Sequence, residues 1–120
     1  MYFSKTLNSV FKTNPYLMQH QEPYYAVIFT SKRTDGDKGY SKISEQMEIL
    51  AKQQPGYLGI EFAKETLGIT VSYWKSLDAI KHWKENTAHL FAQNKGKSDW
   101  YSWYKVRICK VEHEYEFTAE

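Results

Sequence analysis

What the chain lacks narrows its chemistry first. It carries a single cysteine, Cys109, so it can close no intramolecular disulfide and build no cysteine-rich zinc site, and it reads as cytoplasmic. No apolar run approaches the about 20 residues of a spanning helix, or the about 7 to 15 of a secretory signal, so no membrane partner is expected. The six glycines form neither G-x-G-x-x-G nor a P-loop, which disfavours nucleotide chemistry. There is no G-x-S-x-G elbow, and Cys109 lies mid-strand, where a thiol is more often buried than reactive. Sixteen Lys and Arg against fourteen Asp and Glu leave a formal charge of +2, with no basic stretch that concentrates it. Nucleic acid is therefore not an expected partner.

What the chain has in excess is aromatic rings: ten Tyr, six Phe and four Trp, or 17% of 120 residues. A chain of 14.2 kDa buries about two-thirds of its extended surface, enough for one self-sufficient core. The domain is assigned to residues 23–118, preceded by an arm or short helix over residues 1–22. Within that arm Tyr2, Phe3, Leu7, Val10 and Phe11 recur at spacings compatible with a short amphipathic helix. The arm shares the acid-poor, Ser/Thr-containing character of organelle transit peptides but has no arginine, so it is read as an arm joined through Asn14-Pro15.

The pattern of the domain is β-α-β-β-α-β. Tyr24 to Ser31 is β-branched and aromatic on both alternating faces, as in a central strand. Ile43, Met47, Leu50 and Ala51 define a helix from about Tyr40 to Gln54, stopped by Pro55-Gly56. Tyr57 to Ala63 and Gly68 to Trp74 read as a hairpin around Lys64-Glu65-Thr66. Ser76 stands where an N-cap belongs, so one helix is expected from Leu77 to about Asn94, burying Ile80, Trp83, Thr87, Leu90 and Phe91 and stopping at Lys95-Gly96. A short helical turn follows over Asp99 to Tyr104. The last strand is read from Lys105 to Phe117, with a bulge near Cys109-Lys110 where its apolar parity switches. This order is the ferredoxin-like α+β arrangement, an antiparallel sheet with helices on one face. The apolar second face of strand one predicts that two sheets pack together in a homodimer.

No metal site is expected. His82 and His89 are seven residues apart, about 10.5 Å along a helix, too far to share one zinc ion. An RNA-binding role is not expected either, since the strands VIFTS and GITVSYW lack its aromatic signatures. Attention falls on the aromatic belt: Tyr24, Tyr25, Phe29, Phe62, Tyr73, Trp74, Trp83, Phe91, Trp100, Tyr101, Trp103 and Tyr104. For each ring two roles are open, packing in the core or dimer interface, or lining an apolar pocket with its polar tip turned inward.

The run from Pro55 to Phe117, with YYAVIFTSKR before it, resembles the antibiotic biosynthesis monooxygenase domain family. The features that carry the resemblance are the hairpin into Ser72-Tyr73-Trp74, the cap Ser76-Leu77-Asp78-Ala79-Ile80, Trp83, His89, Trp100-Tyr101 and Tyr104. The resemblance covers about Glu22 to Phe117 and implies a dimeric α+β barrel. It implies cofactor-independent oxygenation of a small phenol or quinol, with the substrate losing a proton to a base and an electron to O₂. His89 is the candidate base, with its ordinary pKa nearest neutrality. Phe29, Trp74, Trp83, Tyr101 and Tyr104 are the candidate substrate-binding residues, the two Trp clamping the ring and one Tyr holding an oxygen. On a single ideal helix His89 would stand about 120° around from Trp83, which sets the two apart. Two alternatives remain. One is a non-catalytic dimeric small-molecule-binding or stress-associated protein. The other is a haem-binding or haem-degrading protein, for which the family's pattern asks for an Asn on strand one and a His ten residues after Trp83. Strand one has no Asn and that position holds Gln93, so haem is disfavoured and no cofactor is expected.

Overall fold

A computed structural model of the chain describes residues 23–119, together with the backbone of two short strands in the arm. Those strands, β1 (Lys5–Leu7) and β2 (Val10–Lys12), pair antiparallel with Leu7 opposite Val10. At these six residues the backbone is therefore strand and not the amphipathic helix expected there, consistent with the β preference of Thr6, Val10 and Phe11. The rest of the arm, with its Asn14-Pro15 joint, lies outside the described residues.

The domain runs β3 (Tyr24–Arg33), α1 (Tyr40–Lys52), β4 (Tyr57–Lys64), β5 (Gly68–Trp74), α2 (Leu77–Lys84), α3 (Thr87–Lys95), a π-helical turn at Gly96–Trp100, and β6 (Tyr101–Val111). The four strands form one antiparallel sheet in the order β4-β5-β3-β6, the ferredoxin-like arrangement. β3 is central, as its apolar content on both faces requires. The register puts Tyr25, Val27, Phe29, Ser31, Ser72, Trp74, Tyr104, Val106 and Ile108 on one face. Trp74 meets Trp83 of α2 and Tyr101 meets Tyr40 of α1, so this is the face the helices cover. Tyr24, Ala26, Ile28, Val71, Tyr73 and Trp103 occupy the other.

The connection from α1 to β4 turns on Gly56. Its φ of 85° favours glycine, and a Cβ there would stand 2.6 Å from that of Ala79, so the turn packs directly on α2. Ser76 caps α2 as its position predicts, its hydroxyl accepting from the Ala79 amide at 3.0 Å.

Within the domain, four features depart from the expected map. The long helix is two helices. Asn86 takes an extended backbone conformation and its side chain accepts from the amides of Ala88 and His89, starting α3 afresh. That break rephases the expected apolar stripe: Ile80 is buried, but Thr87 is exposed and Leu90 and Phe91 are 45% and 57% exposed. Secondly, the helical turn after α3 is Gly96–Trp100, and Tyr101 already begins β6. Thirdly, β6 ends at Val111 because its partner β3 begins at Tyr24, so nothing remains for Tyr115 and Phe117 to pair with; they are 90% and 88% exposed. Fourthly, the register is regular at Cys109-Lys110 and shifts instead opposite Lys32 and Arg33, where Ser102 is the extra residue.

Candidate functional site

The helix-covered face carries two aromatic clusters. The first grows from the end of β5. Trp74 is 1% exposed, donates its indole N–H to Ser72 Oγ at 2.9 Å, and meets the edge of Tyr57 at 5.6 Å between ring centroids. Trp83 of α2 lies over it, centroids 6.3 Å apart and 24° from parallel. His89 then lies on Trp83, with centroids only 4.4 Å apart and planes within 12°. The break at Asn86 makes this stack possible, because α3 folds back toward α2 and cancels the 120° separation expected on one continuous helix.

The stack fixes the chemistry of His89. Its Nδ1 is 3.1 Å from the carbonyl oxygen of Trp83. A carbonyl can only accept, so this hydrogen bond needs the proton on Nδ1 and leaves Nε2 as the basic nitrogen. Burial lowers the pKa of His89 from 6.5; the Trp83 carbonyl opposes that shift and the Lys84 charge adds to it. The ring is thus neutral at neutral pH, the state a proton acceptor needs.

The indoles form no open clamp. A ring held flat between two others needs about 7 Å between its neighbours, twice an ordinary carbon contact, and the gap between Trp74 and Trp83 is already closed. Trp83 is half-buried and Trp74 lies beneath it.

The second cluster lies toward the other end of β3. Phe29 packs on Tyr101 and Tyr104 at 5.3 and 5.1 Å, and Tyr101 meets Tyr40 of α1 at 6.0 Å. Tyr40 in turn packs on Trp100, whose indole N–H donates to the Lys38 carbonyl at 2.9 Å. The Arg33 guanidinium lies 3.7 Å above the Tyr40 ring. Burial and the Tyr40 hydroxyl push the Tyr101 pKa far above that of an ordinary phenol, so Tyr101 stays protonated. The π-helical turn sets Tyr101 in place: a Cβ on Gly96 would come within 3.0 Å of its ring.

The expected site residues are therefore brought together as two groups, His89, Trp83 and Trp74 in one, Phe29, Tyr101 and Tyr104 in the other. Trp74 pairs with Tyr25, four residues before Phe29, which separates the groups by about 13 Å along the sheet. Between them the face carries Val27 beside Ile108 and Phe29 beside Val106. Val106 and Ile108 are 47% and 52% exposed, leaving an apolar strip of sheet that the helices do not cover. Phe62, Phe91 and Trp103 of the aromatic belt stand apart at 75%, 57% and 44% exposure.

Sequence reasoning missed Asn86, although an Asn ahead of a new helical run is a capping signal, and it treated Gln93 only as a position without histidine. Gln93 donates its side-chain N–H to the Lys84 carbonyl at 3.0 Å and lies 3.3 Å from His89 Nδ1. An amide tied to a carbonyl is no substitute for an imidazole on iron, and strand β3 has no Asn, so Gln93 and β3 do not supply the residues of the family's haem-degrading pattern. Among the described residues no group of three or more His, Cys, Asp or Glu could hold a metal ion. Nor, among them, is any helix long and apolar enough to cross a membrane.

No family model matches the chain. The protein YqjZ of Bacillus subtilis, itself uncharacterised, is 50% identical over 96 residues, 78% of this chain and 84% of YqjZ. Among solved structures, a Caulobacter crescentus protein provisionally named an antibiotic biosynthesis monooxygenase matches with a TM-score of 0.66 at 14% identity, over 77% of this chain and 92% of that one. A Nitrosomonas europaea protein with the same provisional name matches with a TM-score of 0.62 at 15% identity, over 77% and 93%. SnoaB of Streptomyces nogalater, described as a cofactor-independent oxygenase, matches with a TM-score of 0.66 at 8% identity, over 76% and 95%.

Proposed function

The chain belongs to the family of YqjZ and has the antibiotic biosynthesis monooxygenase fold, and from that premise we propose that it is a cofactor-independent monooxygenase of a small phenol or quinol. The observation that carries the reading is His89, neutral and flat on Trp83 with Nδ1 committed to a carbonyl. The substrate ring lies on the apolar strip of Val106 and Ile108, between the edge of Trp83 and the Phe29, Tyr101 and Tyr104 cluster. Trp74 is the floor beneath Trp83. Nε2 of His89 takes the phenolic proton, and the phenolate gives one electron to O₂. The resulting pair recombines through a new C–O bond to a peroxide anion, which takes the proton back from His89 Nε2 to become a hydroperoxide. Loss of water then leaves the quinone, so that phenol and O₂ become quinone and water with no outside reductant. Tyr101, held protonated, donates a hydrogen bond to the developing oxygen anion.

The working unit in this reading is the domain of residues 23–118, cytoplasmic, without cofactor, as a homodimer. Ile69 and Trp103, 41% and 44% exposed on the sheet face away from the helices, favour a second copy there. Light scattering at micromolar concentration is expected to give twice the monomer mass; a monomer alone would end the dimer model.

Oxygen uptake with a panel of hydroquinones and naphthols tests the activity. The wild type is expected to consume O₂ above the protein-free rate, and His89→Ala about 10²-fold more slowly or less still. Uptake at background would leave a binding protein without turnover. Equal uptake by the two proteins would clear His89 of the role.

A further inference from the structure

His89 Nδ1 has two neighbours that make opposite demands. The Trp83 carbonyl, at 3.1 Å, can only accept and asks for a proton on Nδ1. The Gln93 side-chain nitrogen, at 3.3 Å, can only donate and asks for a lone pair there. The orientation of the Gln93 amide is set from elsewhere, since the same nitrogen donates to the Lys84 carbonyl at 3.0 Å. Turning the amide over would put its oxygen against that carbonyl. The shorter contact is the one to Trp83, and that carbonyl lies at the C-terminal end of α2, where the helix dipole favours an N–H. The Nδ1 proton therefore goes to Trp83. The Gln93 amide is left with its positive end beside the ring, where it penalises a second proton.

We propose that Gln93 is a positioning residue that ties α3 to the end of α2 and disfavours the His89 cation, while the Trp83 carbonyl it brings against the ring holds the neutral Nδ1–H tautomer, with Nε2 as the proton acceptor. The functional side of this rests on His89 being the base of the reaction; the tautomer itself does not. The groups that act on the ring are Lys84 from α2, Gln93 on its own helix and the Trp83 carbonyl. Among the described residues no other charged group contributes. Lys84 works in the same sense as Gln93, against the cation. A neutral amide fills the position where a carboxylate would make His89 cationic, and where a thioether would leave it unsupported.

The test is the long-range ¹H–¹⁵N spectrum of the imidazoles in full-length protein across pH, with His89 assigned by its loss in His89→Gln. The wild type is expected to show a protonated Nδ1 and a bare Nε2 at neutral pH. Gln93→Glu is expected to raise the titration midpoint of His89 by about one to three pH units through its charge. Gln93→Met, similar in volume but without a donor, is expected to raise it less, in the same direction. The Met variant carries the test if the Glu variant does not fold. A wild-type Nε2–H tautomer, or a midpoint unmoved in the folded variants, would overturn the proposal. Uptake that survives His89→Ala while the tautomer is as stated would instead reject the base role and leave the tautomer standing.

Discussion

The two aromatic clusters share one sheet face and similar ring chemistry, yet they are built for different states. Around Phe29 the charge and the indole are tied down. Arg33 covers Tyr40 and donates to the Trp100 carbonyl at 2.9 Å, Trp100 donates to Lys38, and Tyr101 is held protonated. Around Trp83 the stack ends in a titratable ring with one nitrogen tied and the other basic. The difference teaches that ring density alone does not mark a site. In the proposed reading the two divide the work: His89 on its rigid platform supplies the base, while the Phe29 cluster both closes the sheet onto α1 and walls the substrate strip.

If that contrast holds, damage to the two clusters separates folding stability from the titration of His89. The largest effect on folding is expected from Phe29→Ala, which removes the ring on which Tyr101 and Tyr104 rest. A loss of about 3 kcal/mol in urea unfolding is expected, with the titration of His89 unchanged in the folded protein. A shifted His89 titration would mean that the clusters are one unit. Asn86→Ala removes the cap from α3 and is expected to cost about 1 kcal/mol by the same measurement. Unlike Phe29→Ala, it is also expected to loosen the His89 ring, seen as a broadened imidazole resonance. Arg33→Met keeps the aliphatic stem and removes the charge over Tyr40. A loss of about 0.5 to 1 kcal/mol is expected, with oxygen uptake unchanged.

The smallest effect is confined to a narrow pH range. Because the folded pKa of His89 is below its ordinary 6.5, the unfolded chain binds the extra proton first as pH falls. The stability from burying the neutral ring is present above about 6.5 and lost as pH falls through the lower folded value. The melting temperature of the wild type is expected to fall more steeply in that range than that of His89→Gln; parallel curves would show that burial does not perturb the ring.

The sheet was legible in the sequence because its signals are local. Period-two runs, the hairpin turn and the doubly apolar β3 require β4-β5-β3-β6 once the helices lie on one face. The site was half legible. Trp83 and His89 stood out as residues, but their contact depends on a break at Asn86 that the 3.6-residue spacing of Ile80, Trp83 and Thr87 conceals. Gln93 carried no signal of its own, since its role exists only after α3 has turned back to the Lys84 carbonyl. The end of β6 was equally hidden: Tyr115 and Phe117 look like strand residues, and only the length of β3 decides that they lie beyond its last paired residue.

The break at Asn86 also bears on the order in which the molecule assembles. It leaves α2 with eight residues and α3 with nine, each shorter than the about 12 to 15 that hold a helix in water on their own. Neither can wait preformed for the sheet; both gain order by docking, α2 through Trp83 on Trp74 and α3 through His89 on Trp83. The His89 ring is thus among the last parts to arrive and the first to be released when the domain breathes. The backbone amides of α3 should exchange with solvent before those of β3 and β5, so the Trp83–His89 stack can come apart while the sheet beneath is still intact.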